Sequence, residues 1–129
     1  MFSPSNLRSP LGRARGLGSA KEGLHHWWAQ RVTAVALVPL TLWFVISIVR
    51  LVNGHADIAR WFNSPLNAAG LIAFFAVAYH HGAIGVQVVL EDYVVDHGLR
   101  VVSVLLVKLA CYALAALAIV STLIVTLGS

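Results

Sequence analysis

Three long runs of apolar residues, separated by short polar links, organise this chain. Val32 to Val49 is eighteen residues without a charge, Leu66 to Leu90 is twenty-five, and Val101 to Leu127 carries only Lys108. A helix needs about 20 predominantly apolar residues to cross a bilayer. Each run therefore predicts a membrane-spanning helix, at about 31–52, 66–92 and 99–127. The links agree. Between Arg50 and Pro65 the chain turns polar, with Asn53-Gly54 as a turn signal and Trp61-Phe62 as a surface anchor. A shorter turn, Val94 to Gly98, joins the second and third helices. Pro39 lies inside the first run and predicts a kink there. The third run is rich in alanine, which suits close helix packing.

Composition supports the membrane reading. Of 129 residues, 59% are hydrophobic and only 11% charged, too apolar for a soluble domain of this size. The fold class expected is an all-α membrane protein. Residues 1–30 are expected to form a polar tail, rich in Gly, Ser and Pro, and the interfacial start of the first helix near Leu24 to Gln30; residues 31–129 form the membrane domain. The tail lacks the apolar core that would follow the basic residues of a cleaved signal peptide. Within it, His25-His26-Trp27-Trp28 has the composition of an interfacial belt.

Basic residues set an orientation. Arg8, Arg13, Arg15, Lys21, Arg31 and Arg100 lie on one side of the predicted spans, and Arg50 and Arg60 on the other. The richer side is expected to be cytoplasmic, which places the N-terminus and the Val94–Gly98 turn inside. The net charge of +4 resides mostly in the tail and serves topology and lipid contact. It forms no patch on a folded domain, so no nucleic acid is expected as a partner. The single cysteine, Cys111, sits among Ala and Leu and reads as packing. The polar segments are too short to build a catalytic core, so substantial chemistry needs a cofactor or partner chains.

The chemistry-bearing residues cluster on the second run. His80-His81 interrupts the apolar stretch, and an imidazole at bilayer depth is costly without a partner. Eleven residues later comes Asp92, back on nearly the same helix face, with Tyr93 beside it. Ala78, Gly82 and Gly85 surround His81 at helical spacing and would let a backbone or a flat cofactor approach. Histidine in a membrane helix ligates metal, relays protons or hydrogen-bonds another helix. The other two runs contain no histidine, so a haem with two axial histidines would need its second ligand from another chain. His80 points about 100° away from His81 and suits a helix–helix hydrogen bond. Asp92 and Tyr93 are either polar residues at a helix end or donors to a quinone carbonyl near water. Arg31 is either a snorkelling topology residue or a grip for an anionic group such as a haem propionate. Lys108 has the same two readings.

The stretch His81-Gly82-Ala83-Ile84-Gly85-Val86-Gln87-Val88-Val89-Leu90-Glu91-Asp92-Tyr93-Val94 resembles the signature of the hydrophobic membrane anchor subunits of succinate dehydrogenase. Gln30-Arg31-Val32-Thr33-Ala34 is similar to the opening of the first helix in that family. The resemblance runs from roughly Gly18 to the C-terminus. It implies that three helices form half of a heterodimeric haem-binding bundle, with one haem b held by one histidine from each anchor subunit. His81 would be this chain's axial ligand to the haem iron, Tyr93 a ubiquinone donor, Asp92 its neighbour, and Arg31 a propionate partner. FAD and iron–sulfur clusters would sit in the flavoprotein and iron–sulfur subunits, and the whole in a bacterial inner membrane or its mitochondrial equivalent. The extra histidine at position 80 departs from the pattern, although the motif register favours His81. Two other readings remain at this point: a subunit of a fumarate reductase, and a non-redox transport or assembly subunit with a structural histidine.

Overall fold

A computed structural model describes residues 10–14 and 21–128. Residues 1–9, 15–20 and 129 lie outside the described set, and with them Arg8 and Arg15 of the basic tail. The described chain is helical: α1 (Pro10–Ala14), α2 (Lys21–Val52), α3 (Ile58–Phe62), α4 (Pro65–Tyr93) and α5 (His97–Leu127). Three of these, α2, α4 and α5, are long and apolar enough to cross a membrane. They are the three helices expected from the three apolar runs. Helix α4 packs against both α2 and α5.

Helix α2 starts a few residues ahead of the interfacial start expected near Leu24. It begins at Lys21 and includes the His25-His26-Trp27-Trp28 belt, ten residues ahead of Arg31. Loss of hydropathy marks where a helix leaves hydrocarbon, not where its hydrogen-bond ladder ends. Pro39 is accommodated within α2, which runs on to Val52 as one helix.

Local chemistry explains the other boundaries. Gly54 takes φ +70°, the left-handed conformation that the Asn53-Gly54 turn requires and that glycine adopts without steric penalty. Asp57 caps α3, its carboxylate accepting from the Arg60 amide at 2.8 Å. Proline at the first position opens α4, where its missing N–H costs nothing. Asp96 caps α5, accepting from the Leu99 amide at 2.7 Å. The short α3 folds back on the bundle, because Trp61 stacks on Trp43 of α2 at 5.9 Å. The expected surface anchor is thus also a packing residue.

The core is thin. Buried hydrophobic residues are Ala68, Leu71, Ala83 and Ile84 of α4 and Ala115 of α5. Meanwhile Val35, Val38, Leu42, Leu105, Leu106 and Leu117 stay more than half exposed. Such apolar exposure is tolerated only against lipid or another protein. Helices α2 and α4 run antiparallel in close register. Gln30 lies beside Gly85, Thr33 meets His81, Trp43 covers Gly70, and Phe44 stacks on Phe74 at 4.5 Å. This register fixes the depth of the polar residues.

Candidate functional site

The two adjacent histidines face different helices. Nδ1 of His80 lies 3.1 Å from the Tyr112 hydroxyl of α5. Nδ1 of His81 lies 2.9 Å from Oγ1 of Thr33 on α2. The helical step of about 100° between neighbours produces this split. His80 therefore makes the interhelical hydrogen bond expected of it. His81 alone lines an open depression of about 580 Å³, whose other walls are Ala34, Leu37, Val38, Thr41, Leu42 and Val45 of α2. Apart from the imidazole and one threonine, that lining is apolar.

Hydrogen accounting at Thr33 fixes the state of the His81 ring. The Thr33 hydroxyl has one hydrogen and donates it to the Ala29 carbonyl at 2.6 Å, with the Gln30 carbonyl further off at 3.1 Å. Carbonyl oxygens only accept. Nδ1 of His81 must therefore carry its own hydrogen and donate it to Oγ1. In the neutral ring this leaves the lone pair on Nε2, the form that can ligate a metal. Among the described residues, no three His, Cys, Asp or Glu side chains gather as a metal-holding group. The His81 depression is lined, among the described residues, by one imidazole.

Arg31 lies three, seven and eleven residues before Ala34, Val38 and Leu42, on the same stripe of α2 that walls the depression. It is one short step in depth from the imidazole, about 3 Å of rise ahead of Thr33. Its guanidinium sits 5.5 Å from the Trp27 ring centroid, one turn earlier, in a cation–π contact. His81 is close to the centre of α4, as expected, but its α2 partner stands at the very start of that helix's charge-free run. The imidazole is thus nearer the Arg31 end of the bundle than α4 alone suggests.

Asp92 and Tyr93 end α4 about 18 Å of rise beyond His81. Both are exposed, Tyr93 at 81%. Glu91 accepts a 2.6 Å hydrogen bond from Gln87 Nε2, one turn back. Lys108 lines a different depression, of about 620 Å³, with Glu91, His97 and Arg100 among its walls. None of those walls is shared with the His81 depression. The structure therefore joins His81 and Thr33 and leaves Lys108 apart from them; Arg31 shares the stripe of α2 but is not among the walls of the depression. Sequence reasoning passed over Thr33 and Tyr112, because a hydroxyl in a membrane run carries no signal until its partner helix is known.

These features define a multi-pass helical membrane protein with an intramembrane imidazole turned toward an open apolar face. Residues 5–125 match the model of the succinate dehydrogenase/fumarate reductase transmembrane subunit family. The chain belongs to that family. It is 35% identical over 105 residues to the succinate dehydrogenase hydrophobic membrane anchor subunit of Rickettsia bellii (strain RML369-C), covering 81% of this chain and 84% of that one. The subunit of the same name from Paracoccus denitrificans is 36% identical over 86 residues, covering 66% and 67%. The succinate dehydrogenase membrane anchor subunit of Reclinomonas americana is 28% identical over 92 residues, covering 68% and 77%.

Proposed function

We propose that this chain is the membrane anchor subunit of a succinate:ubiquinone oxidoreductase, and that it supplies one axial ligand to a haem b and part of a ubiquinone site. The observation that carries the reading is His81: its Nδ1–H is engaged by Thr33, its Nε2 is left with the lone pair, and it lines an apolar depression. These residues fit a haem. The depression offers an apolar wall to a macrocycle, and Arg31 stands on the same stripe, where its guanidinium would grip a propionate with two hydrogen bonds. Among the described residues only one imidazole lines the depression, so a haem there would take its other protein ligand from a second anchor subunit of cytochrome b type. When bound, the haem adds a one-electron acceptor within the membrane.

Tyr93 and Asp92 are the proposed quinone residues. At the exposed end of α4, the Tyr93 hydroxyl would donate to a quinone carbonyl, and Asp92 beside it would hold a proton at the water boundary. The chain has no catalytic activity alone. A flavoprotein carrying FAD oxidises succinate, and an iron–sulfur subunit delivers the electrons. Both dock at the Tyr93 end, and the excess of basic residues on that side supports a cytoplasmic position for it in a bacterial inner membrane or its mitochondrial equivalent. Reaction direction, succinate oxidation or fumarate reduction, is set by quinone potential and partner chains.

The test is haem content of the purified complex in two variants. His81→Ala should lose the haem and His80→Ala should keep it, because Tyr112 and not the depression engages His80. Haem retained in His81→Ala would overturn the assignment.

A further inference from the structure

Thr33 is the residue hydrogen-bonded to the His81 ring, and its hydrogen bonds have a direction. The hydroxyl gives its hydrogen backward to the Ala29 carbonyl at 2.6 Å, so Oγ1 can only accept from the ring at 2.9 Å. The carbonyl of Ala29 thereby orients the Thr33 oxygen, and the oxygen orients the imidazole. We infer that Thr33 is a positioning residue for the haem ligand: it holds His81 in the Nδ1–H tautomer, fixes the ring plane and raises the electron-donating power of Nε2. The inference rests on the reading of His81 as the axial ligand.

The physical consequence has a sign. A hydrogen bond donated from Nδ1–H makes an imidazole a more basic ligand. A more basic ligand favours ferric over ferrous iron, and so lowers the midpoint potential. Replacing the hydroxyl with a methyl group removes the acceptor and leaves an unpaired N–H in an apolar helix interface, a costly state. The ring is then free to turn. In the same segment the Gln30 side chain lies beside Gly85, Arg31 carries only donors, and Val32 and Ala34 have no polar side-chain atom. Serine, in contrast, keeps both the hydroxyl and its backward bond to the carbonyl four residues earlier.

The experiment uses the whole complex, purified as wild type and as Thr33→Val, Thr33→Ala and Thr33→Ser, with a potentiometric titration of the haem and its low-spin EPR signal as readouts. The expected result is a midpoint potential shifted positive in Thr33→Val and Thr33→Ala, with an altered EPR signal, and wild-type values in Thr33→Ser. Thr33→Ala covers the case in which valine obstructs assembly. Loss of haem from both, with haem retained in Thr33→Ser, also supports the inference, since second-sphere partners are worth about 10–100-fold in affinity. Unchanged potential and EPR in Thr33→Val and Thr33→Ala would overturn it while leaving His81 as ligand. Equal disturbance in all three, serine included, would overturn it as well. A wild-type complex without haem, or haem retained in His81→Ala, would instead sink the reading beneath it.

Discussion

Gly70 offers a measurable test of how α2 and α4 are fitted together. A Cβ added there would lie 2.6 Å from Cη2, 2.9 Å from Cζ2 and 3.1 Å from Cζ3 of Trp43. Ordinary carbon contacts begin near 3.5 Å, so the indole must retreat by about 1 Å. Such a retreat disturbs a second contact, because the same indole is stacked on Trp61 at 5.9 Å with 21° between planes. Overpacking of this kind costs about 1–3 kcal/mol, and disturbing an aromatic pair adds about 0.5–1.5 kcal/mol at most. Against this, alanine is the better helix former by about 0.5–1 kcal/mol. Gly70→Ala should therefore destabilise the membrane bundle by about 1–2 kcal/mol. The double-mutant partner is Trp43→Phe, which deletes the outer ring atoms that clash. In that background Gly70→Ala should be neutral or slightly stabilising, giving a coupling energy of about 1–3 kcal/mol. Denaturant unfolding of the purified complex in detergent, followed by circular dichroism and tryptophan fluorescence, measures all four corners of the cycle. A coupling energy of zero would refute the close approach of Trp43 to Gly70.

Other substitutions have equally direct expectations. Tyr93→Phe should slow quinone reduction several-fold while sparing succinate oxidation with a soluble dye, and equal loss of both activities would remove Tyr93 from the quinone site. Tyr112→Phe should cost about 0.6 kcal/mol, the average for an interhelical hydrogen bond in a membrane, and leave haem content unchanged; measured haem loss would put His80 in the ligand role. Asp96→Ala should cost about 1 kcal/mol through loss of the cap on the Leu99 amide, read as a lowered unfolding midpoint that Asp96→Asn largely restores.

The three spans were legible because a bilayer forbids unpaired charge over a length that a short sequence displays openly. The Asn53-Gly54 turn was legible too, because two residues dictate it. The split of His80 from His81 followed from helical geometry alone, but its meaning did not. Which helix each ring faces depends on partners 32 and 48 residues away. The register of α2 on α4 is set by pairs such as Trp43 on Gly70 and Phe44 on Phe74, which no local pattern announces. Thr33 looked like an unremarkable member of an apolar run until that register brought it to His81. The start of α2 was legible to within a few residues, because the His25-His26-Trp27-Trp28 belt marked its interfacial turn.

The central claim is that this chain anchors a redox complex and lends it a haem ligand. Its most direct test is a reduced-minus-oxidised visible spectrum of the complex purified from membranes through this chain, with mass spectrometry of the chains that accompany it. The expected result is a b-type haem signal together with a flavoprotein, an iron–sulfur protein and a second membrane subunit. A complex with no haem signal and none of those partners would contradict it.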